Sequence, residues 1–222
     1  MIRSMTSTGV REDAETGVHR SYRGIPAADR VAARRDGLLA AGLELLGTRG
    51  VSDTRVEDVC AEAGLTRRYF YESFSSFEEF TNAVLDKAIA DLTEIVVPVV
   101  AESGWRRPRP GIEAFCKTIL DDPRLTRLIV VELHSGELVS RRAELIDLAV
   151  DLWLASDPAT DKDPKYLASQ RLLAHSMAGV VFEVALAWVA GRIELSQQEV
   201  IDHFVRIFER ITPRQEGPSS SG

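Results

Sequence analysis

The sequence predicts an all-α protein: an N-terminal head of three helices containing a helix-turn-helix, and a larger helical body behind it. Apolar residues recur at the three- and four-residue spacing of helices, and no alternating strand pattern persists. Capping residues and glycines divide these segments in the order that a helix-turn-helix requires. With 222 residues, 45% of them hydrophobic, the chain is long enough to bury one or two cores.

The predicted head begins with a helix over Ala27–Thr48, whose leucines fall on one face and which Gly50 ends. A second helix is expected to follow Thr54. Thr54 and Glu57 have the spacing of a capping box, in which each side chain bonds a free backbone N–H group of the first turn. The head therefore has two helices before its tightest turn.

The third helix is expected over Arg67–Ser73, with Thr66 as its N-cap. Gly64 ends the preceding helix because glycine adopts a positive φ without strain. Phe70 and Phe74 share one face at i, i+4 spacing, which leaves arginine and tyrosine side chains on the other. A short helix of this kind suits the major groove of DNA, so this segment is the predicted recognition helix.

The body is predicted to be helical throughout. Ser75 and Ser76, each followed three residues later by glutamate, mark the start of a helix that runs to about Ser103. Pro98 is expected to kink or divide it. A loop rich in proline and glycine is expected at 104–111. Further helices are predicted at about 112–120, 123–134, 137–155, 164–190 and 197–211.

The net charge of −7 taken alone argues against nucleic acid as a partner, but the charge is unevenly distributed. The first 75 residues contain 11 basic and 11 acidic side chains, so the excess of negative charge lies entirely in the body. A neutral head with clustered arginines would bind DNA phosphates through a few specific side-chain contacts. A second copy in a dimer would increase the affinity for DNA.

Cysteine content and hydropathy indicate a cytoplasmic protein. Two distant cysteines are too few for a disulfide framework and fit a reducing compartment. No apolar run approaches the ~20 residues of a membrane-spanning helix, and the N-terminus lacks the apolar centre of a secretion signal. We therefore expect no membrane partner.

The head resembles the TetR family of bacterial transcriptional regulators between Arg35 and about Phe80. Two positions depart from the family pattern: Phe77 replaces the usual lysine that helps to grip the DNA backbone, and Cys60 replaces the usual alanine. The resemblance implies a homodimer whose two heads read a palindromic operator. It also implies a body that binds a small molecule and thereby moves the heads. The matching positions are Leu38, Leu39, Ala41, Leu45, Leu46, Gly50, Thr54, Val59, Ala61, Ala63, Gly64, Leu65, Thr66, Tyr71 and Phe74.

Candidate DNA contacts lie around the turn and on the recognition helix. Arginine bonds guanine O6 and N7 in a bidentate way, and we expect at least one of Arg67 and Arg68 to read a base. The alternatives for the other are a phosphate contact or solvent. The resemblance assigns the Tyr71 hydroxyl to a phosphate. For both threonines, capping alone is an equally good explanation. The candidates are Thr54, Arg55, Thr66, Arg67, Arg68, Tyr69 and Tyr71.

The candidate effector site consists mainly of large apolar residues on the body helices. An apolar pocket with a few polar groups is the common form of a small-molecule site, although core packing explains the same residues. His134 and His175 are the candidate orienting groups, with a plain core or surface role as the alternative. The candidates are Trp105, Phe115, Val131, His134, Trp153, His175, Met177 and Phe182.

The last two helices are the expected dimer interface. The penultimate helix is apolar around most of its circumference, which is typical of a helix buried on both sides. Ser196 and Glu199 form a capping box before the last helix. As the resemblance suggests, two helices from each subunit would form a four-helix interface. The candidates are Leu173, Met177, Val180, Val184, Trp188, Phe204, Ile207, Phe208 and Ile211.

These patterns predict a division into regions. Residues 1–25 form a flexible arm and residues 26–75 the DNA-binding domain. Residues 76–212 form the ligand-binding and dimerisation domain, and residues 213–222 a disordered tail.

The predicted function is that of a ligand-responsive DNA-binding transcriptional regulator, and we favour a repressor released from a palindromic operator by a small, largely apolar effector. Its expected partners are double-stranded DNA, a second copy of itself and an unidentified small molecule. The alternative is an effector-independent architectural or activating DNA-binding protein on the same fold. We expect no enzyme, catalytic residue, metal or cofactor, because the sequence has no HExxH, GxSxG or phosphate-cradling glycine motif.

Overall fold

The computed structural model describes residues 27–104, 107–135, 138–155 and 163–211. The regular structure within these ranges is helical and contains no strand, which confirms the predicted all-α fold. The predicted arm and tail lie outside the described residues.

The head comprises α1 (Ala27–Thr48), α2 (Val56–Glu62) and α3 (Arg67–Ser73). The body comprises α4 (Phe77–Ser103), α5 (Pro108–Leu120), α6 (Pro123–Leu125), a π-helical segment (Thr126–Glu132), α7 (Leu133–Ser135), a 3₁₀ turn (Val139–Arg141), α8 (Arg142–Ala155), α9 (Pro164–Val189) and α10 (Gln197–Ile211).

The start of α2 differs from the predicted capping box by one residue. Arg55, not Thr54, is the N-cap, and its backbone N–H donates to Asp58 Oδ2 at 2.9 Å. Thr54 is fully buried and donates its hydroxyl to the carbonyl oxygen of Gly50 at 2.8 Å. The prediction of a Thr54 cap was wrong because this side chain closes the loop after α1 instead.

Aromatic packing joins the head to α4. The Phe80 ring lies 5.2 Å from the centres of both the Phe70 and Phe74 rings. Gly42 of α1 faces the same ring so closely that a Cβ atom there would come within 2.5 Å of a Phe80 carbon. One apolar core therefore continues from the head into the body. The predicted domain boundary between residues 75 and 76 stays a prediction.

The long helix α4 begins as its sequence predicts. The Ser76 hydroxyl accepts the backbone N–H of Glu79 at 3.0 Å, and the Glu79 carboxylate accepts the backbone N–H of Ser75 at 2.7 Å. The helix continues past Pro98 to Ser103, so proline does not divide it. A single element thus extends from the aromatic cluster of the head into the body.

The body departs from the prediction at helix ends. The loop expected at 104–111 is shorter, because α5 begins at Pro108, where proline suits the first turn. The helix expected at 123–134 contains the π segment, and the one expected from 137 begins with the 3₁₀ turn at Val139. Helix α5 packs between α4 and α10, α8 packs along α9, and the π segment contacts both α1 and α9.

Helix α9 is long and apolar enough to span a membrane by length and composition alone, which contradicts the expectation that no stretch would be. Only 17% of its most apolar window is buried within the protomer. One such helix is weak evidence for a membrane. The large apolar residues exposed on it are Leu172 and Val180.

Candidate DNA-binding surface and effector cavity

The recognition helix α3 buries one face and exposes the other. Phe70 is fully buried, with its ring 5.3 Å from that of Tyr71. On the outer side, the Arg67 and Arg68 side chains are 61% and 84% exposed, and Thr66 precedes them at the exposed N-cap position. The start of α3 therefore offers two guanidinium groups and a hydroxyl to a DNA groove.

A carboxylate holds each of these arginines. Arg67 Nη1 lies 2.9 Å from Glu57 Oε1 on α2, and Arg68 Nε donates to Glu72 Oε1 at 2.8 Å. The Tyr71 hydroxyl and the Glu57 carboxylate raise the pKa of Arg67, so its guanidinium stays protonated and positively charged. Water screens exposed ion pairs, so a phosphate or a guanine edge can replace either carboxylate.

Two arginines of α1 hold α3 in place, and the sequence pattern gave them no such role. Arg35 Nη1 donates to the carbonyl oxygen of Ser73 at 2.9 Å, and its guanidinium lies 4.2 Å from the centre of the Phe74 ring. The Arg34 guanidinium lies 4.5 Å from the centre of the Tyr69 ring. Tyr69 is half-buried and links α1 to α3. A DNA contact by Tyr69 stays a prediction.

Two positions of the motif serve packing rather than DNA contact in this structure. Thr54 is excluded from the candidate DNA contacts because its side chain is fully buried and its hydroxyl is bonded to Gly50. The Phe77 ring packs 5.8 Å from that of Phe80, so the residue that replaces the usual lysine extends the aromatic core. Arg55 is exposed, as a phosphate contact requires.

A cavity of about 210 Å³ lies between α4, α5, α8, α9 and α10, and its wall is apolar. Thr93 and Ser103 reach it, but their hydroxyls donate to carbonyl oxygens of α4 itself, both at 2.8 Å. Burial raises the pKa of the Cys116 thiol to about 12, which keeps the thiol neutral. None of the lining residues that the structure describes is charged. The cavity is therefore suited to an uncharged apolar molecule.

The cavity includes some of the predicted effector residues and excludes others. His175 is exposed on α9, with Asp147 4.0 Å away, so its predicted place in the site is wrong. Val131 lies in the π segment outside the lining, and His134 lies behind Phe182. Trp105 lies outside the described residues. The candidates that line the cavity are Phe115, Trp153, Met177 and Phe182.

The wall formed by α4 was missed in the effector prediction. Leu92 and Val96 are buried there and line the cavity, although the predicted effector site included no residue of this helix. Phe208 of α10, predicted for the dimer interface, also lines the cavity, with its ring 5.6 Å from that of Trp153. Helical spacing identifies a buried face without showing whether core or cavity lies behind it.

Two predicted interface residues are interior. Met177 is 4% exposed in the cavity wall, and Phe204 is 2% exposed in the core between α5 and α10. Their assignment to the protomer surface was wrong for two reasons: α9 is apolar around most of its circumference and gives no signal of its outer side, and the single apolar face of α10 packs inside the protomer. Leu172, at 71%, and Val180, at 38%, are the exposed large apolar residues of α9. The other candidates are half-buried: Leu173, Val184, Trp188, Ile207, Phe208 and Ile211.

The head also matches a known family by sequence. The family described as bacterial regulatory proteins, tetR family, matches residues 38–84, which include the helix-turn-helix and the start of α4. The chain belongs to the TetR family. As a TetR-family protein with this two-part helical fold, it is a DNA-binding transcriptional regulator. Sequence comparison with curated proteins finds no match.

Solved structures with the same fold cover most of this TetR-family chain. A TetR-like transcriptional regulator from Rhodococcus sp. RHA1 is 20% identical, with a TM-score of 0.58 over 84% of this chain and 97% of that one. The fatty acid degradation regulator FadR from Bacillus halodurans is 15% identical, with a TM-score of 0.62 over 79% and 94%. NalD, the secondary repressor of the MexAB-OprM multidrug efflux pump in Pseudomonas aeruginosa, is 18% identical, with a TM-score of 0.59 over 85% and 100%. At these identities the likeness extends to the fold alone.

Proposed function

We propose that this TetR-family regulator is a homodimeric repressor that a small, uncharged apolar effector releases from a palindromic operator. The observation that carries the proposal is the continuity of α4 between the two sites. Its Phe80 packs in the aromatic core of the head, and its Leu92 and Val96 line the cavity. A molecule that changes the position of α4 in the body therefore also acts on the head.

The exposed face of α9, which carries apolar side chains among polar ones such as Ser176 and Glu183, supports the homodimer. Leu172 and Val180 lie two turns apart on this face, and Gly179 beside them has no atom within 4 Å of where a Cβ would stand. A second copy of the same face would cover these residues in an isologous contact. Two-fold pairing would then place the recognition helices ~34 Å apart, one turn of DNA, or a multiple of it.

Release from DNA would be a population shift between two arrangements of the heads. The effector would bind more tightly to the arrangement whose head spacing does not match the operator, and operator affinity would fall by that difference in affinity. The repressor NalD shares the fold, which is consistent with our proposal of repression rather than activation.

Selection of binding sites from a random DNA pool tests the DNA-binding part of this proposal. We expect wild-type protein to enrich a palindrome and the Arg67→Ala/Arg68→Ala double variant to enrich none, because base-edge contacts are lost. The matched control is Arg171→Ala/Arg192→Ala, which removes the same charge from exposed body positions. Enrichment of the same palindrome by both double variants would contradict base reading by α3. Salt-sensitive binding without enrichment by wild-type protein would favour the architectural alternative.

A further inference from the structure

Two polar side chains lie behind Phe182, a residue of the cavity wall. The His134 ring is centred 5.9 Å from the Phe182 ring, and the Arg142 guanidinium carbon lies 5.8 Å from the centre of the same ring. Phe182 also lines a second apolar cavity of about 20 Å³, which reaches Val130 in the π segment. His134 lines neither cavity, so access to it from the main cavity would require this ring to move.

Hydrogen bonding sets the protonation of His134. Its Nδ1 lies 2.8 Å from the carbonyl oxygen of Val130, and a carbonyl can only accept, so Nδ1 carries the proton. Burial lowers the pKa of His134, and the positive charge of Arg142 lowers it further, so the ring is neutral at pH 7. The other nitrogen, Nε2, is then an acceptor, and it is buried without a hydrogen-bond partner.

Arg142 contributes the complementary group. Its Nε–H is a donor that is likewise buried without a partner. One unpaired acceptor and one unpaired donor thus lie against the same phenylalanine. A hydroxyl group is chemically complementary to both, because its O–H can donate to an acceptor such as His134 Nε2 and its oxygen can accept from a donor such as Arg142 Nε. A carboxylate offers acceptors alone and would leave Nε2 unpaired unless the buried imidazole took up a proton.

We infer that the effector is a neutral apolar molecule that carries a hydroxyl group, such as an alcohol or a phenol, bound by His134 and Arg142 behind Phe182. This inference rests on the proposed effector cavity and specifies the class of molecule that it takes. The uncharged lining accommodates the apolar part, and the two polar side chains fix its orientation.

Matched bicyclic probes test the inference on the full-length protein. We expect wild-type protein to bind 1-naphthol at least tenfold more tightly than naphthalene or 1-naphthoate, as measured by calorimetry. His134→Phe and Arg142→Met should each remove the advantage of 1-naphthol while leaving naphthalene binding unchanged. His175→Phe and Arg171→Met, at exposed positions of α9, are the controls and should preserve it.

The outcomes separate the two claims. Equal affinity of wild-type protein for 1-naphthol and naphthalene would overturn the hydroxyl site and leave the apolar cavity in place. Tightest binding of 1-naphthoate would replace the neutral hydroxyl with an anion. Failure of folded wild-type protein to bind any of the three probes would overturn the cavity as an effector site as well. These outcomes are all measured on wild-type protein, so they can be read even if a variant fails to fold.

Discussion

Arg127 of the π segment donates a hydrogen bond from Nη2 to the carbonyl oxygen of Arg49, across 3.1 Å, and so joins the body to the end of α1. Its Nε lies 3.6 Å from Glu132 Oε1, and Glu132 is buried. Gly50 lies against both side chains. The head is therefore attached to the body at this junction as well as through α4.

Arg127→Met should destabilise the fold by about 1–3 kcal/mol, because it leaves the buried Glu132 carboxylate without its cation. Adding Glu132→Leu should recover part of this loss, since the unpaired buried charge is then removed. Urea unfolding of both variants and of Glu132→Leu alone measures the coupling. Arg192→Met is the control, because its 3.9 Å pair with Glu183 is exposed. Additive effects of the two substitutions would contradict the pairing.

Gly50→Ala should cost more stability than Gly64→Ala. Both glycines have a positive φ, +95° and +64°, so alanine is strained at either, by about 1–2 kcal/mol. At Gly50 a Cβ would also meet Arg127 Nη2 at 2.5 Å and Glu132 Oε1 at 2.8 Å, whereas nothing lies within 4 Å at Gly64. Thermal unfolding measures the loss of stability in each variant. Equal losses would contradict the prediction, because they would show that the Arg127 and Glu132 side chains move aside without cost.

Local signals in the sequence were sufficient for most helix ends. The predicted bounds of α1, α3 and α10 agree with the structure, because capping residues and glycines act within a few positions. Residues after Thr126 were harder to place. A π turn holds an extra residue, which rotates the following side chains about 100° around the axis relative to an α-helix. His134, two residues after this segment, lies outside the cavity lining.

Contacts between elements that are distant in sequence explain the other errors of the sequence-based predictions. Thr54 has the right spacing for a cap, but its burial under the loop after α1 transfers that role to Arg55. Met177 lies on a helix with several apolar faces, and Phe204 lies on the single apolar face of α10. In neither case does the sequence show whether the face meets another element of the same chain or a second copy. The exposed Arg67 and Arg68 were placed correctly on the surface because α3 has a single apolar face.

Acid should weaken the start of α4 through Glu79. Hydrogen bonds from the Ser75 side chain and backbone lower the pKa of Glu79. A carboxyl whose pKa is lower in the folded state stabilises the fold above its unfolded pKa of about 4.3 and loses this effect as pH falls through the folded value. Glu79→Gln should therefore lower stability at pH 7 and flatten its decline below about pH 5. Glu78→Gln removes the same charge one residue away, and an identical pH profile for both variants would refute the role of Ser75.

Leu172→Asp should convert a dimer into a folded monomer, because it places a charge at the most exposed large apolar residue of α9. Ile95→Asp is the matched control, since Ile95 is also an exposed apolar residue, at 50%, but lies on α4. Light scattering after gel filtration gives the mass, and circular dichroism confirms folding. A wild-type monomer, or a Leu172→Asp protein that stays dimeric, would rule out this interface. Sedimentation of wild-type protein with phospholipid vesicles, lost in Leu172→Asp, would instead assign the apolar face to a membrane.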